Sequence, residues 1–141
     1  MKILIVDDKI ANRKLVAKML ARNHVFIFAE EGKQAIELVL QEEPDLVLMD
    51  ILMPGIDGVV ATYQIRQQYT NKWLPIIILS ALSDEKKIIE GLNAGADDYL
   101  TKPINRSMLL AKIKTIQHSL AIQNKLLAAN KQLVEYQQRN E

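Results

Sequence analysis

Five short runs of mostly apolar residues recur along the chain: "KILIV" (2–6), "VFIFA" (25–29), "DLVLM" (45–49), "PIIIL" (75–79) and "DYLT" (98–101). Most are apolar at every position instead of every second one, the pattern of strands covered on both faces in a parallel sheet. Helices must cover those faces, and the intervening segments have the periodicity to do so. Leu15, Val16, Met19 and Leu20 share one face of a helix expected from about 10 to 22, with Lys14 and Lys18 opposite. Ala35, Ile36, Val39 and Leu40 form the stripe of the second helix, and Ile88, Ile89 and Leu92 that of the fourth. The third, from about 58 to 70, has a weaker stripe of Val59, Val60 and Tyr63. Gly32 and Gly58 fall where helices would begin, and Gly95 where one would end in the left-handed cap that glycine tolerates. Five βα units in succession predict a doubly wound α/β sheet.

In such a sheet the functional residues gather outside the carboxyl ends of the strands, where the strand order reverses. Asp7 and Asp8 follow the first run, Asp50 the third, Ser80 the fourth and Lys102 the fifth. Taken alone, "VLMDILMPGIDG" (47–58) reads as an apolar segment entering a capped loop, with Asp57 capping the helix that starts at Gly58. That leaves Asp50 without a structural duty, and its company at the other strand ends supplies a chemical one. Three converging carboxylates repel one another unless a cation joins them. Hard oxygen ligands with no histidine or cysteine beside them point to Mg²⁺, which takes one or two carboxylates and is completed by phosphate oxygens. The missing partner is then a phosphoryl group, with Lys102 neutralising one oxygen and the Ser80 hydroxyl bonding another. Asp50 is the candidate nucleophile for an aspartyl-phosphate, because Asp7 and Asp8 sit together on one loop as a metal-binding pair.

Composition narrows the field further. A chain of 141 residues that is 49% hydrophobic is long enough for one ordinary globular core. The absence of cysteine excludes a disulfide scaffold and a thiolate metal centre, and fits a reducing, cytoplasmic setting. No apolar run approaches the ~20 residues needed to span a bilayer, and "MKILIV" lacks the long apolar stretch of a leader, so no membrane association is expected. The net charge of +1 gives no argument for nucleic acid. The charge is unevenly spread, however: residues 1–103 hold 12 Lys and Arg against 15 Asp and Glu, and residues 104–141 hold 6 against 2. A few cations along a helix read as a solvated face, and no direct nucleic-acid binding is expected of this chain.

The residues "VDD" (6–8), "MDILMPGIDG" (49–58), "LSA" (79–81) and "GADDYLTKP" (95–103) together resemble the receiver domain of two-component response regulators. The similarity covers residues 1 to about 118, and it brings the flavodoxin-like strand order 2-1-3-4-5 with it. The resemblance implies that Asp50 accepts a phosphoryl group from a phosphohistidine of a sensor histidine kinase or phosphotransfer protein, the receiver itself catalysing the transfer. It also implies that Asp8, Asp50 and the backbone carbonyl of Leu52 bind Mg²⁺ directly, with Asp7 acting mainly through water. Ser80 would turn toward the phosphoryl oxygen and Tyr99 would follow, altering the surface of the fourth helix, fifth strand and fifth helix as a two-state switch. A cis Lys102–Pro103 bond is implied too. Two departures stand out. Lys9 follows the acid pair where a further acid is common, and is expected to face water. Leu52 and Leu82 are apolar where relatives carry polar side chains that orient the hydrolytic water, so the phosphoryl group is expected to persist longer here.

Beyond Pro103 the helical pattern does not stop. From 104 to 141 there is no glycine or further proline, and Ile113, Ile116, Leu120, Leu127 and Val134 keep a 3-4 spacing, widened by Leu126 and Leu133. A helix of roughly 35 residues would reach about 50 Å, too far to lie wholly on a ~120-residue domain. Residues 1–118 are therefore expected to form the receiver and 119–141 a helical extension. That extension would pair with its own copy in a parallel coiled coil, Gln123 and Asn130 fixing register at alternating core positions. The ending "YQQRNE" within a helical pattern suggests continuation into an output domain, any output enzyme lying outside this chain. Three other functions compete. An aspartate-nucleophile phosphatase needs a second Asp where Leu52 stands. A flavin binder needs a hydroxyl- and amide-rich loop where "DDK" stands. A phosphorylation-independent interaction module would keep the fold alone.

Overall fold

The computed structural model describes residues 1–20, 23–81 and 83–140. Ten elements alternate along the chain: β1 (Lys2–Val6), α1 (Ile10–Leu20), β2 (Val25–Ala29), α2 (Gly32–Glu42), β3 (Leu46–Asp50), α3 (Gly58–Gln68), β4 (Ile76–Ala81), α4 (Glu85–Ala94), β5 (Asp98–Lys102) and α5 (Arg106–Arg139). The strands form one parallel sheet in the order β2-β1-β3-β4-β5, the flavodoxin-like order expected. Chain direction across the sheet reverses between β1 and β3, so the crevice at their carboxyl ends is the place where this architecture puts a ligand.

Burial follows position in the sheet. The central strands β1, β3 and β4 are buried nearly throughout, as apolar runs without alternation require. β2 and β5 lie at the edges, and there the expectation of two covered faces gives way: Val25 and Phe28 are exposed despite an apolar run. Leu4, Val6, Val47, Met49, Ala61, Ile65, Leu74 and Ile76 belong to one continuous core with Ala35, Ile36 and Val39 of α2. The first four helices all bury narrower faces than the sequence stripes suggested, Leu40 of α2 and Val60 and Tyr63 of α3 being exposed. Val16 and Leu20 are buried while Leu15 is half exposed, and Ile88 is buried while Ile89 is half exposed.

The glycine assignments hold. α2 and α3 begin at Gly32 and Gly58, and Gly95 caps α4 at φ 119°, a left-handed conformation that costs a glycine little. Asp57 caps α3 by accepting the Val60 N–H at 2.9 Å.

The chain divides into two compact units, Met1–Arg106 and Ser107–Glu141. The second is the body of α5, a single uninterrupted helix in which every residue from 121 to 140 is exposed. Among the described residues no helix is long and apolar enough to cross a membrane.

Candidate functional site

The loop after β1 is the first component of the site. Asp7 is 3% exposed and pinned from its own loop: the Lys9 N–H donates to its Oδ1 at 2.9 Å, and the Arg13 guanidinium donates to its backbone carbonyl at 2.7 Å. Asp8 follows, half-buried. The second component is the end of β3. Asp50 is its last residue and is 4% exposed. The loop beyond it doubles back so tightly that the Gly58 N–H donates to the Ile51 carbonyl at 2.8 Å, and a Cβ at Gly58 would overlap the backbone carbonyl oxygen of Asp50. Glycine is needed there for close approach, and that contact sets where β3 ends and Asp50 projects. Ser80 from β4, 2% exposed, and Lys102 from the end of β5 complete the ring.

One carboxylate oxygen from each of Asp7, Asp8 and Asp50 lies within 4.8 Å of the other two. Lys102 Nζ donates to Asp50 Oδ1 at 3.1 Å and stands 3.5 Å from Asp7 Oδ2. A cavity of about 250 Å³ opens beside them, lined by Asp8, Lys9, Asn12, Asp50, Ile51, Leu52, Ser80, Ala81 and Lys102. Burial pushes the Asp50 carboxyl above its ordinary range. The hydrogen bond and charge of Lys102 pull it back, while Asp7 and Asp8 push it up again. Burial also draws the Lys102 ammonium down, but Asp50 and Asp7 outweigh that and hold it above its usual value. The two shifts do not mirror each other because one cation faces several acids: Lys102 is amply paired and Asp50 is not.

The five chemical side chains expected from the sequence, Asp7, Asp8, Asp50, Ser80 and Lys102, are thus brought together. Leu52 lines the same cavity and is 59% exposed. Tyr99 sits apart, 41% exposed on β5 and not on the cavity wall. The Ser80 hydroxyl donates to the Ala81 carbonyl at 3.3 Å. Lys9 is exposed, as expected, yet also borders the cavity. The Lys102–Pro103 bond is cis, as the resemblance implied. Leu82 lies outside the described residues. Asn12 and Arg13 were missed by the sequence reading: α1 starts immediately after the acid pair, so its first turn returns side chains to that loop, Asn12 Nδ2 reaching 3.5 Å from Asp7 Oδ1.

A doubly wound parallel sheet with an acid triad, a hydroxyl and a lysine at its carboxyl edge defines a class of protein, and comparison with known families agrees. Residues 3–114 match the family model of the response regulator receiver domain. The chain belongs to that family, the receiver domains of two-component response regulators. It is 40% identical to protein PilH of Pseudomonas aeruginosa over 116 residues, covering 82% of this chain and 96% of PilH. Response regulator PleD of Caulobacter vibrioides is 36% identical over 116 residues, which cover 82% of this chain and 26% of PleD. The chain therefore spans about a quarter of one of these relatives and nearly all of the other. Among solved structures, a two-component response regulator from Clostridium difficile superposes with a TM-score of 0.78 at 30% identity, covering 85% of this chain and 98% of its own.

The residues fit the divalent cation that this family typically uses. The donor set is all oxygen, three carboxylates share one small volume, and among the described residues no cysteine or histidine joins the cluster, the preference of Mg²⁺.

Proposed function

We propose that Asp50 is the phosphoryl acceptor of a two-component relay, taking the group from a phosphohistidine of a sensor histidine kinase or phosphotransfer protein. One observation carries this reading: a buried, under-neutralised carboxylate at a strand end, hydrogen-bonded to Lys102 and open to a cavity shared with Asp8 and Ser80. Asp50 attacks phosphorus through a carboxylate oxygen, the bond from phosphorus to the donor breaks, and the displaced imidazole keeps the electron pair. Lys102 and the Ser80 hydroxyl bond the oxygens of the transferred group. Asp8, Asp50 and the Leu52 carbonyl would hold Mg²⁺, with Asp7 acting mainly through water, and a bound ion would supply positive charge facing the phosphoryl oxygens. Asp7 is more deeply buried than Asp8 and engaged by Lys9, Asn12 and Lys102, which suits the more distant role.

Ser80 and Tyr99 form the switch. As Ser80 turns from the Ala81 carbonyl to the phosphoryl oxygen, the Tyr99 ring leaves its exposed position and the α4–β5 surface changes. The chain is a signalling module with no substrate turnover of its own beyond gaining and losing this group. It works in the cytoplasm, pairs through its C-terminal helix, and passes its state to an output domain.

Intact mass after incubation with acetyl phosphate and Mg²⁺ tests the chemistry. The parent gains one phosphoryl group and Asp50→Asn gains none. No gain in the parent replaces this reading with a phosphorylation-independent interaction module.

A further inference from the structure

The exposed half of α5 includes Ile122, Leu126, Leu127, Leu133, Val134 and Tyr136, each at least 46% exposed. These residues fall on two 3-4 series. One, expected from the sequence, runs Leu120, Gln123, Leu127, Asn130, Val134 and Gln137, alternating apolar side chains with amides. The other is offset by one residue toward the amino terminus: Ile122, Leu126, Ala129, Leu133 and Tyr136, apolar throughout. Upstream the preference reverses. There the first series holds Ile113 and Ile116, which are already buried within the protomer, and the half-buried Leu120, while the second would hold Lys112, Thr115 and Ser119. One residue is about 100° of rotation about the helix axis. A pair of helices cannot bury both series at once. A pair that uses the first series, which continues the face buried upstream, also sets amides in its centre, at a cost in stability.

We infer that the exposed part of α5 carries two dimer seams, one residue apart, which compete for a second copy of this chain. The inference rests on the proposed pairing of the C-terminal helices and specifies how it is built. A second copy is the occupant for two reasons. In a parallel, in-register pair the core amides of Gln123, Asn130 and Gln137 face their own counterparts, and an amide carries both donor and acceptor, so each pair satisfies itself. The flanking positions also avoid self-repulsion in either seam. The first sets Leu126 near Lys131 and Leu133 near Gln138 of the other copy; the second sets Lys125 near Asn130 and Gln132 near Gln137. The basic excess of this segment is therefore never brought against itself. The small Ala129 side chain, with Gln132, Leu133 and Tyr136, leaves a shallow groove along the helix, the hollow that a partner side chain fills in the second seam. Two packings that exclude each other make a two-state element, biased by whatever fixes the rotation of the helices at either end.

Because the chain has no cysteine, single cysteines report the seam directly. Leu127→Cys is central in the first seam and outside the second, Ala129→Cys the reverse, and Ala128→Cys lies outside both. A disulfide forms only where the Cα atoms come within about 7 Å. Mild oxidation of the full chain, followed by a non-reducing gel, should cross-link the Leu127→Cys and Ala129→Cys variants and leave Ala128→Cys monomeric. Adding Asn130→Leu, which fills the first seam, should raise cross-linking of Leu127→Cys and lower that of Ala129→Cys, each several-fold. Cross-linking at only one of the two positions, or no response to Asn130→Leu, overturns the two-seam inference while the dimer stands. No cross-link at any position overturns the dimer as well.

Discussion

At the amino edge of the sheet Asp97 precedes β5 and collects donors from three directions. Its Oδ2 accepts the Ile76 N–H and the Arg66 guanidinium, each at 2.9 Å, and its Oδ1 accepts the Trp73 indole N–H at 3.3 Å. Arg66 also donates to the Gly95 carbonyl at 2.9 Å and to the Leu74 carbonyl, tying α3 to the starts of β4 and β5. Asp45, before β3, likewise takes the Lys2 N–H at 2.8 Å and faces Lys72 at 3.4 Å. At the carboxyl edge the ratio inverts: Asp7, Asp8 and Asp50 cluster together, and one ammonium, that of Lys102, reaches Asp7 and Asp50. An acid supplied with donors holds elements in place; a buried acid short of them is poised to take a cation or a phosphoryl group. The same residue type therefore does opposite work at the two ends of one sheet.

The largest effect that would break this comparison is kinetic. Lys102→Met leaves the carboxyl edge with no ammonium beside Asp50, so the charge developing on the transferred group loses its fixed counter-ion. The rate of phosphorylation by acetyl phosphate, followed by intact mass, should fall by about 10²-fold, the scale seen when one such donor is removed. A fall of less than about threefold would mean that Lys102 serves stability alone, as Arg66 does at the other edge.

The next effect is on stability, and it has the opposite location. Asp97→Asn keeps an acceptor for the Ile76 N–H but removes the charge facing Arg66 and turns an amide N–H toward donors. It should cost about 1–2 kcal/mol in urea unfolding, with the phosphorylation rate unchanged within about twofold. An equal loss of phosphorylation would show that the two edges are coupled.

The legibility of these two edges differed for a physical reason. The carboxyl edge was readable because each of its groups ends a strand: the runs ending at Val6, Met49, Leu79 and Thr101 place Asp7, Asp50, Ser80 and Lys102 in register before any contact is known. Helix starts at Gly32 and Gly58 were readable from local chemistry as well. The clasp around Asp97 was not, because Arg66 arrives from the far end of α3 and Trp73 from an irregular segment, so no spacing announces their meeting. Helix stripes were overread at Leu15 and Ile89 for a related reason. Periodicity tells which residues share a face, whereas the width of the face that is covered depends on what lies across from it. The strand order itself came from the family resemblance; apolar runs alone permit other orders.

The smallest effect sharpens the comparison most, because it uses the same substitution at the other edge and reverses its sign. Asp50 is buried close to Asp7 and Asp8, and its carboxyl is held above the ordinary range chiefly by burial. A group whose folded-state pKa is raised binds its proton more tightly in the native state than in the unfolded one. Native stability then falls as pH rises through the unfolded carboxylate range toward the raised value, and the loss is complete above it. Asp50→Asn supplies the neutral isostere, so in metal-free buffer at pH 7 it should stabilise the protein by about 1 kcal/mol, while abolishing phosphorylation. The same variant should also flatten the decline in melting temperature across the carboxylate range. Destabilisation by Asp50→Asn would mean that the Lys102 ion pair outweighs burial and the neighbouring acids, making Asp50 a structural acid of the Asp97 kind.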